Sequence, residues 1–305
     1  MIHKKCFSVA LPLNGGSIKT FNDAWNLVWE LNYQFNARSG YCEKNRYQNH
    51  LQNSIGNLKL SDITPLLLDT LKAKMLASGR RAQTVKHVLN LIKGIFNYLI
   101  KYNLFSGENP ARKVSMPIED RTRQRYLTKE EADLLLSALR CKSEQLWQMS
   151  LLSLSTGMRA SEIFHLKGEH IDLAMRTIRI IDPKSGRNRS VYLPNSAWEM
   201  LCKCDLKNGH LIFPNKFGEP YKAINRVFYK TVQELGLNKG LTDPRDYVVF
   251  HSLRHTFASW LVQKDQPIYV VSELLGHSSL MMTKRYAHLS PARQVAATSV
   301  LNSFL

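Results

Sequence analysis

Apolar and polar positions in the first third of the chain follow a helical pattern. Thr20 and Asp23 have the spacing of a capping box, in which side chain and backbone satisfy each other at a helix start. Phe21, Ala24, Trp25, Val28, Trp29 and Leu31 follow at helical intervals. Over 83–102, Val85, Val88, Leu89, Ile92, Ile95, Phe96 and Leu99 recur every three or four residues, which places them on one buried face. Lys86, Asn90, Lys93, Asn97 and Lys101 repeat beside that stripe, so one helix carries an apolar face and a cationic one. Between 106 and 125 the periodicity lapses. Gly107, Pro110 and Pro117 punctuate it, and Arg121, Arg123 and Arg125 alternate without apolar partners, as in an interdomain linker.

A second capping box, Thr128 with Glu131, opens a helix through Ala132, Leu134, Leu135 and Leu139. Residues 146–156 read as a mostly buried helix that Gly157 stops, and 159–166 as a further helical turn. Two β-rich runs, 176–182 and 188–193, flank Pro183 to Arg187, whose Pro and Gly suit a short hairpin loop. Past Pro214 the pattern is helical again. The expected organisation is an N-terminal segment 1–16, a helical domain 17–117, a linker 118–125 and a second domain 126–305, with no internal repeat.

Composition narrows the class. A chain of 305 residues has the length of two domains, and 44% hydrophobic with 22% charged residues is globular rather than disordered. No apolar run approaches the roughly 18 residues of a membrane span. Lys4 and Lys5 ahead of 6–13 imitate a signal peptide, but Pro12 interrupts a short apolar run. The five cysteines, Cys6, Cys42, Cys141, Cys202 and Cys204, form no disulfide framework, and Cys202-x-Cys204 lacks the spacing of a zinc knuckle or redox pair. A reducing cytoplasm is expected. The net charge of +18 changes the picture most, because such a surplus implies an anionic partner, nucleic acid or acidic lipid. Both halves share it: 16 Lys and Arg against 6 Asp and Glu in residues 1–117, and 26 against 18 in the rest. The stripe on 83–102 is either a track for phosphates, whose counterions it would release, or a solvated face.

Taken singly, the chemically interesting residues are weak signals. Arg159 follows the helix-breaking Gly157, and Glu162 lies three residues on, where its carboxylate can steady the guanidinium; a surface salt bridge would look the same. His251 and Arg254 sit in a stretch packed by Phe250, Leu253, Phe257 and Trp260, a buried polar pair that needs partners. His251 and His255 have zinc-pair spacing, but Ser252 stands where a metalloprotease carries Glu. His277 after Gly276, and Tyr286 among twelve tyrosines, mean little alone.

Order and spacing give them meaning. Thr-Gly-Met-Arg-Ala-Ser-Glu at 156–162, a lysine in a hairpin loop, His-Ser-Leu-Arg-His-Thr at 251–256, Leu-Leu-Gly-His at 274–277 and a tyrosine nine residues later resemble the tyrosine recombinases, the phage-type integrases. The resemblance covers nearly the whole chain: 126–305 is similar to the catalytic domain and 17–117 to the helical core-binding domain, including 60–65 between helices. It implies a mainly α fold with a small antiparallel β-sheet (α+β), in two domains that form a C-shaped clamp around double-stranded DNA. The implied catalytic residues are Arg159, Lys184, His251, Arg254, His277 and Tyr286, with Glu162 in support; Arg187 and Arg189 share the hairpin with Lys184. Lys86, Lys93 and Lys101 are the expected DNA contacts of the first domain, and Arg121, Arg123 and Arg125 those of the hinge.

The resemblance further implies strand cleavage and rejoining through a 3′-phosphotyrosine with no metal, ATP or cofactor. Tyr286 would be the nucleophile, Arg159 and Arg254 the phosphate clamp, and Lys184 the general acid. His251 would accept the tyrosine proton or bond the phosphate, and His277 would donate to a nonbridging oxygen. It implies a homotetramer on DNA from a free monomer or dimer, accessory DNA-bending or directionality factors, no membrane, a bacterial, nucleoid-associated setting in the cytoplasm, and a host, phage or mobile element as the source of the gene. The apolar tail of Val295, Val300, Leu301, Phe304 and Leu305 would dock on a neighbouring protomer or on its own domain. The 16 residues ahead of Ser17 are too few for an arm-binding domain, which points to a simpler reaction or a shortened chain. Two alternatives stand beside this reading: a type IB topoisomerase-like relaxing enzyme, and a catalytically idle DNA-binding or architectural protein.

Overall fold

A computed structural model of the protein describes residues 18–35, 37–118, 125–181 and 188–289. Lys184, Arg121, Arg123, the first 16 residues and the apolar tail lie outside them. The chain divides into two compact units, Met1–Asp120 and Arg121–Leu305.

The first unit is built from α1 (Phe21–Leu31), α2 (Ala37–Arg46), α3 (Pro65–Ala77) and α4 (Ala82–Lys101). Thr20 and Asp23 form the expected capping box, and Thr64 caps α3 ahead of Pro65, whose missing N–H costs nothing at a first helical position. Helix α4 buries the whole apolar stripe read from the sequence and Leu91 besides. Trp25 of α1 stacks on Tyr47 with centroids 4.2 Å apart, which brings a large apolar area together at little rotamer cost. The polar stripe of α4 is not uniformly solvated. Lys86, Asn90 and Lys101 are exposed, but Lys93 is half-buried, and buried Asn109 donates to the Lys93 carbonyl (2.9 Å) and to Asn97 Oδ1 (2.8 Å).

The second unit contains α5 (Lys129–Lys142), α6 (Glu144–Thr156), α7 (Ala160–Phe164), β1 (Ile171–Asp172), β2 (Thr177–Ile180), β3 (Arg189–Tyr192), α8 (Asn195–Leu201), α9 (Arg226–Glu234), α10 (Phe250–Gln263) and α11 (Ile268–Leu275). The fold is therefore mainly helical with one small antiparallel sheet, ordered β1-β2-β3. Ile178 pairs with Val191 and Ile180 with Arg189, and Ile178, Ile180 and Val191 face the core while Arg179, Ser190 and Tyr192 are exposed. β1 was not anticipated, since a two-residue strand has no period to read.

Helix α10 runs through the middle of the unit. It buries Ser252, Leu253, Arg254, His255, Thr256, Ala258, Ser259 and Val262, and packs against α6, which buries Ser150, Ser153 and Thr156. Small residues on both helices allow close approach, and their hydroxyls are satisfied by carbonyls, as in Ser150 to Leu146 and Thr256 to Ser252, both 2.7 Å. Thr128 and Glu131 complete the second capping box as read. Among the described residues no helix is long and apolar enough to cross a membrane.

Candidate active site

Helix α6 stops at Gly157, whose φ of +69° is left-handed. A Cβ there would lie 2.6 Å from Phe257 Cδ1, so glycine is required for both conformation and space. The chain re-enters helix at Arg159, the extended N-cap of α7. Glu162 fastens that arginine twice: Oε2 accepts from its backbone N (2.7 Å) and Oε1 from its Nη1 (2.9 Å). A second guanidinium reaches the same carboxylate from β3, with Arg189 Nη1 2.8 Å from Oε1 and Nη2 2.9 Å from Oε2. Burial works against ionising Glu162, but the bonds and charge of Arg189, then those of Arg159, outweigh it and hold the carboxyl below its ordinary range.

Arg254 is 2% exposed. Its Nη1 donates to the Gly157 carbonyl (2.5 Å) and its Nη2 to the Leu275 carbonyl (2.6 Å). Both carbonyls lie at helix C-termini, those of α6 and α11, where the peptide dipoles leave partial negative charge. Burial, then the charge of Arg159, lowers the Arg254 pKa to about 9, which leaves it cationic at neutral pH.

Gly276 ends α11 with φ +62° and sets His277 beside this group. His277 Nδ1 is 2.7 Å from Oγ1 of the buried Thr283. Burial, then the cations Arg254, Arg159, Arg285 and Arg189, press the imidazole down to about 4, so the ring is neutral at pH 7. The Thr283 hydroxyl can donate to Nδ1, and in that tautomer the ring proton resides on Nε2, which is then a donor.

Tyr286 stands in the 3₁₀ turn Lys284–Leu289 and is 7% exposed. Its ring belongs to a cluster with Ala258, Val262, Val271 and Leu275, and its hydroxyl lies 2.5 Å from His255 Nδ1. Burial raises the phenol pKa above its ordinary value, opposed by the charges of Arg285 and Arg254. The His255 ring also stands edge-on to that of His251, centroids 4.7 Å apart. Two guanidiniums thus bind one carboxylate and a third, that of Arg254, lies within electrostatic range of it, a surplus of positive charge suited to an anion with several oxygens. Among the described residues no cluster of three or more His, Cys, Asp or Glu could hold a metal ion. A cavity of about 750 Å³ lined by Leu136, Trp147, Leu151, Met200, Phe257 and Trp260 contains none of these groups.

Residues 125–293 match the phage integrase family. The chain belongs to that family, the tyrosine recombinases. It is 27% identical over 304 residues to a tyrosine recombinase XerC-like protein of Caldanaerobacter subterraneus subsp. tengcongensis, with 84% of this chain and 75% of that protein covered. It is 33% identical over 235 residues to the integrase of Salmonella phage P22, covering 70% of this chain and 58% of that one. Among solved structures it is similar to the Tn1549 transposon integrase in complex with transposon right end DNA, with a TM-score of 0.76 at 18% identity over 93% of this chain and 99% of that one. It is also similar to a lambda integrase tetramer bound to a Holliday junction, with a TM-score of 0.68 at 19% identity over 92% and 83%. At such identities these structures speak to the fold.

Of the family positions singled out in the sequence, Arg159, Glu162, Arg254 and His277 share one electrostatic neighbourhood. The expected buried pair of His251 and Arg254 is corrected. Arg254 is buried with carbonyl partners, whereas His251 is exposed at the start of α10. Arg125 forks onto Glu131 (3.0 and 2.5 Å) and donates to the Tyr126 carbonyl (2.6 Å), so its guanidinium is engaged within its own unit. Three residues were missed as members of the site: Arg189, His255 and Thr283. Arg189 did carry a signal, because it alternates in phase with Val191 and is therefore a charge on the inward face of a strand.

Proposed function

We propose that the protein is a site-specific DNA recombinase that cuts and rejoins strands of double-stranded DNA through a 3′-phosphotyrosine. Tyr286 Oη attacks the scissile phosphorus, a Tyr–O–P bond forms, and the bond to the 5′-oxygen breaks to leave a 5′-hydroxyl. Attack by the 5′-hydroxyl of another strand reverses the step and releases the phenol. The bond energy stays in the phosphotyrosine, so no ATP is consumed.

The observation that carries this reading is the cationic surplus around Glu162, next to a neutral imidazole donor and a tyrosine. Arg159 and Arg254 would clamp the nonbridging oxygens, since planar guanidiniums match phosphate bidentately. Loss of either would cost about 3–4 kcal/mol of transition-state stabilisation, as for an oxyanion-hole donor. His277, neutral with Nε2–H outward, would give a third hydrogen bond. Lys184 would protonate the leaving 5′-oxygen, and His251 would take the phenol proton once Tyr286 is at the phosphate. The buried hydroxyl on His255 cannot meet a duplex where it stands, so the turn carrying Tyr286 must shift before attack. Lys86 and Lys101 would follow the backbone, and a homotetramer would hold two duplexes through a four-way junction.

The test uses nicked duplexes cut from the DNA that flanks the protein's own gene, incubated with the full chain and resolved in denaturing gels. The expected result is a protein–DNA adduct at one position, absent from Tyr286→Phe. Adducts at every sequence would instead identify a topoisomerase-like relaxing enzyme, and specific binding without any adduct an idle binder.

A further inference from the structure

We infer that Arg189 is a positioning residue of the strand-cleavage site, holding Glu162 so that Arg159 presents its free donors to the phosphate. The inference rests on the reaction proposed above. A carboxylate has about four lone-pair sites, and here all four are used, two by the Arg189 fork and two by the backbone N and Nη1 of Arg159. Among the described residues that single Nη1 contact is the only hydrogen bond of the Arg159 side chain, which is 31% exposed. Without the fork, both oxygens of Glu162 would be open to Arg159, and its guanidinium could fold onto them as a closed pair with fewer donors left for substrate. Arg189 occupies one side of Glu162 and keeps that pairing single.

A merely structural role fits the details poorly. Arg189 lies on the inward face of β3 beside Ile180 and Val191, its side chain is 11% exposed, and its Nε is buried with no hydrogen-bond partner among the described residues. Packing alone would be served as well by an apolar side chain, since a buried ion pair rarely outweighs its own desolvation. The stem of Arg189 also lies across Gly276: a Cβ there would be 2.7 Å from Arg189 Cδ and 2.8 Å from Nη1. One side chain thus bridges the start of α7, which carries Arg159, and the end of α11, which carries His277. Glycine at 276 leaves the room for it.

The experiment is a double-mutant cycle between Arg189 and Arg159 in the full chain, reading the rate of covalent adduct on the nicked duplex that the wild type cleaves. Arg189→Gln should slow adduct formation by about 10²-fold, the penalty of a misplaced catalytic group, with binding of the uncleaved duplex within about threefold. In an Arg159→Ala background the same change should cost less than about threefold, because the group it positions is gone. Arg189→Lys keeps the charge, loses the fork, and should show the same dependence on background; it replaces Arg189→Gln should that variant not fold. An equal penalty with and without Arg159 overturns the inference while leaving the proposed reaction intact. A wild type that forms no Tyr286-dependent adduct overturns the reaction itself.

Discussion

The bond between Tyr286 and His255 makes the sharpest prediction about the resting protein. Both residues are buried, at 7% and 5% exposure, and the hydroxyl-to-Nδ1 distance is 2.5 Å. A neutral hydrogen bond contributes about 0.5–1.5 kcal/mol net, whereas stranding one buried partner costs about 1–3 kcal/mol. His255→Phe strands the phenol hydroxyl and should destabilise the second unit by about 2–3 kcal/mol, and Tyr286→Phe alone by about 1 kcal/mol. With both changes present neither partner is stranded, so the total should fall to or below that of His255→Phe alone. The coupling is then at least about 1 kcal/mol. Urea unfolding of the full chain, followed by circular dichroism in the transition that these variants move, measures it. Additivity within about 0.5 kcal/mol would show that the two groups do not stabilise each other, and the resting position assigned to the tyrosine would be wrong.

Gly157→Ala forces a left-handed φ of +69° on a side chain whose Cβ falls 2.6 Å from the Phe257 ring and 3.0 Å from Leu275 Cδ2. Strain of about 1–2 kcal/mol plus displacement of packed rings should lower the melting temperature by at least about 5 °C; an unchanged melting curve would refute the packing argument. His277 is held near 4 in the folded protein, below its ordinary 6.5, so the unfolded chain binds that proton more readily. The stability this neutral ring contributes is complete above about pH 6.5 and is lost as pH falls from there through about 4. The stability difference between wild type and His277→Asn should therefore shrink on acidification, which denaturation at pH 7.5, 6 and 4.5 checks. Lys86 is exposed on α4, and if it meets a phosphate, Lys86→Gln should reduce the slope of log affinity against log salt by about 0.9; fluorescence anisotropy with duplex DNA reads that slope.

Much of this architecture is legible from local rules. The capping boxes at Thr20 and Thr128, the apolar stripe of α4 and the hairpin alternation each depend on neighbours within a few residues, and those interactions survive folding unchanged. Arg159 with Glu162 belongs to the same class, being a pair one helical turn apart. The partners of Arg254 do not. Its two carbonyls lie 97 and 21 residues away in sequence and come within reach only because α6 and α11 end on the same side of α10. The bond from Tyr286 to His255 spans 31 residues, and nothing in the spacing favours His255 over His251 or His277. The burial of the tyrosine, which decides where its hydroxyl rests, is a property of the packed cluster and is written in no single segment.

The charge arithmetic of the site bears on what so costly an arrangement would do in the proposed reaction. Two like charges about 6 Å apart repel by about 3 kcal/mol at an effective dielectric near 20; here Arg159 and Arg189 share the carboxylate of Glu162, and Arg254 stands within electrostatic range of all three. Burial first, and then the neighbouring cations, press the Arg254 pKa down to about 9 and that of His277 down to about 4, so the close packing of cations carries a cost. In the proposed reaction a phosphodiester would bring one negative charge and relieve part of that repulsion. Attack by a phenolate would add a second charge to the same phosphorus, and the net surplus of two cations would then be matched rather than half-matched. Interactions that strengthen between ground state and transition state are the ones that accelerate a reaction, and fixed guanidiniums need no reorganisation to supply them. In the proposed reaction Glu162 would be an orienting group that leaves the site two charges short of neutral, the deficit that a pentavalent phosphorane would fill.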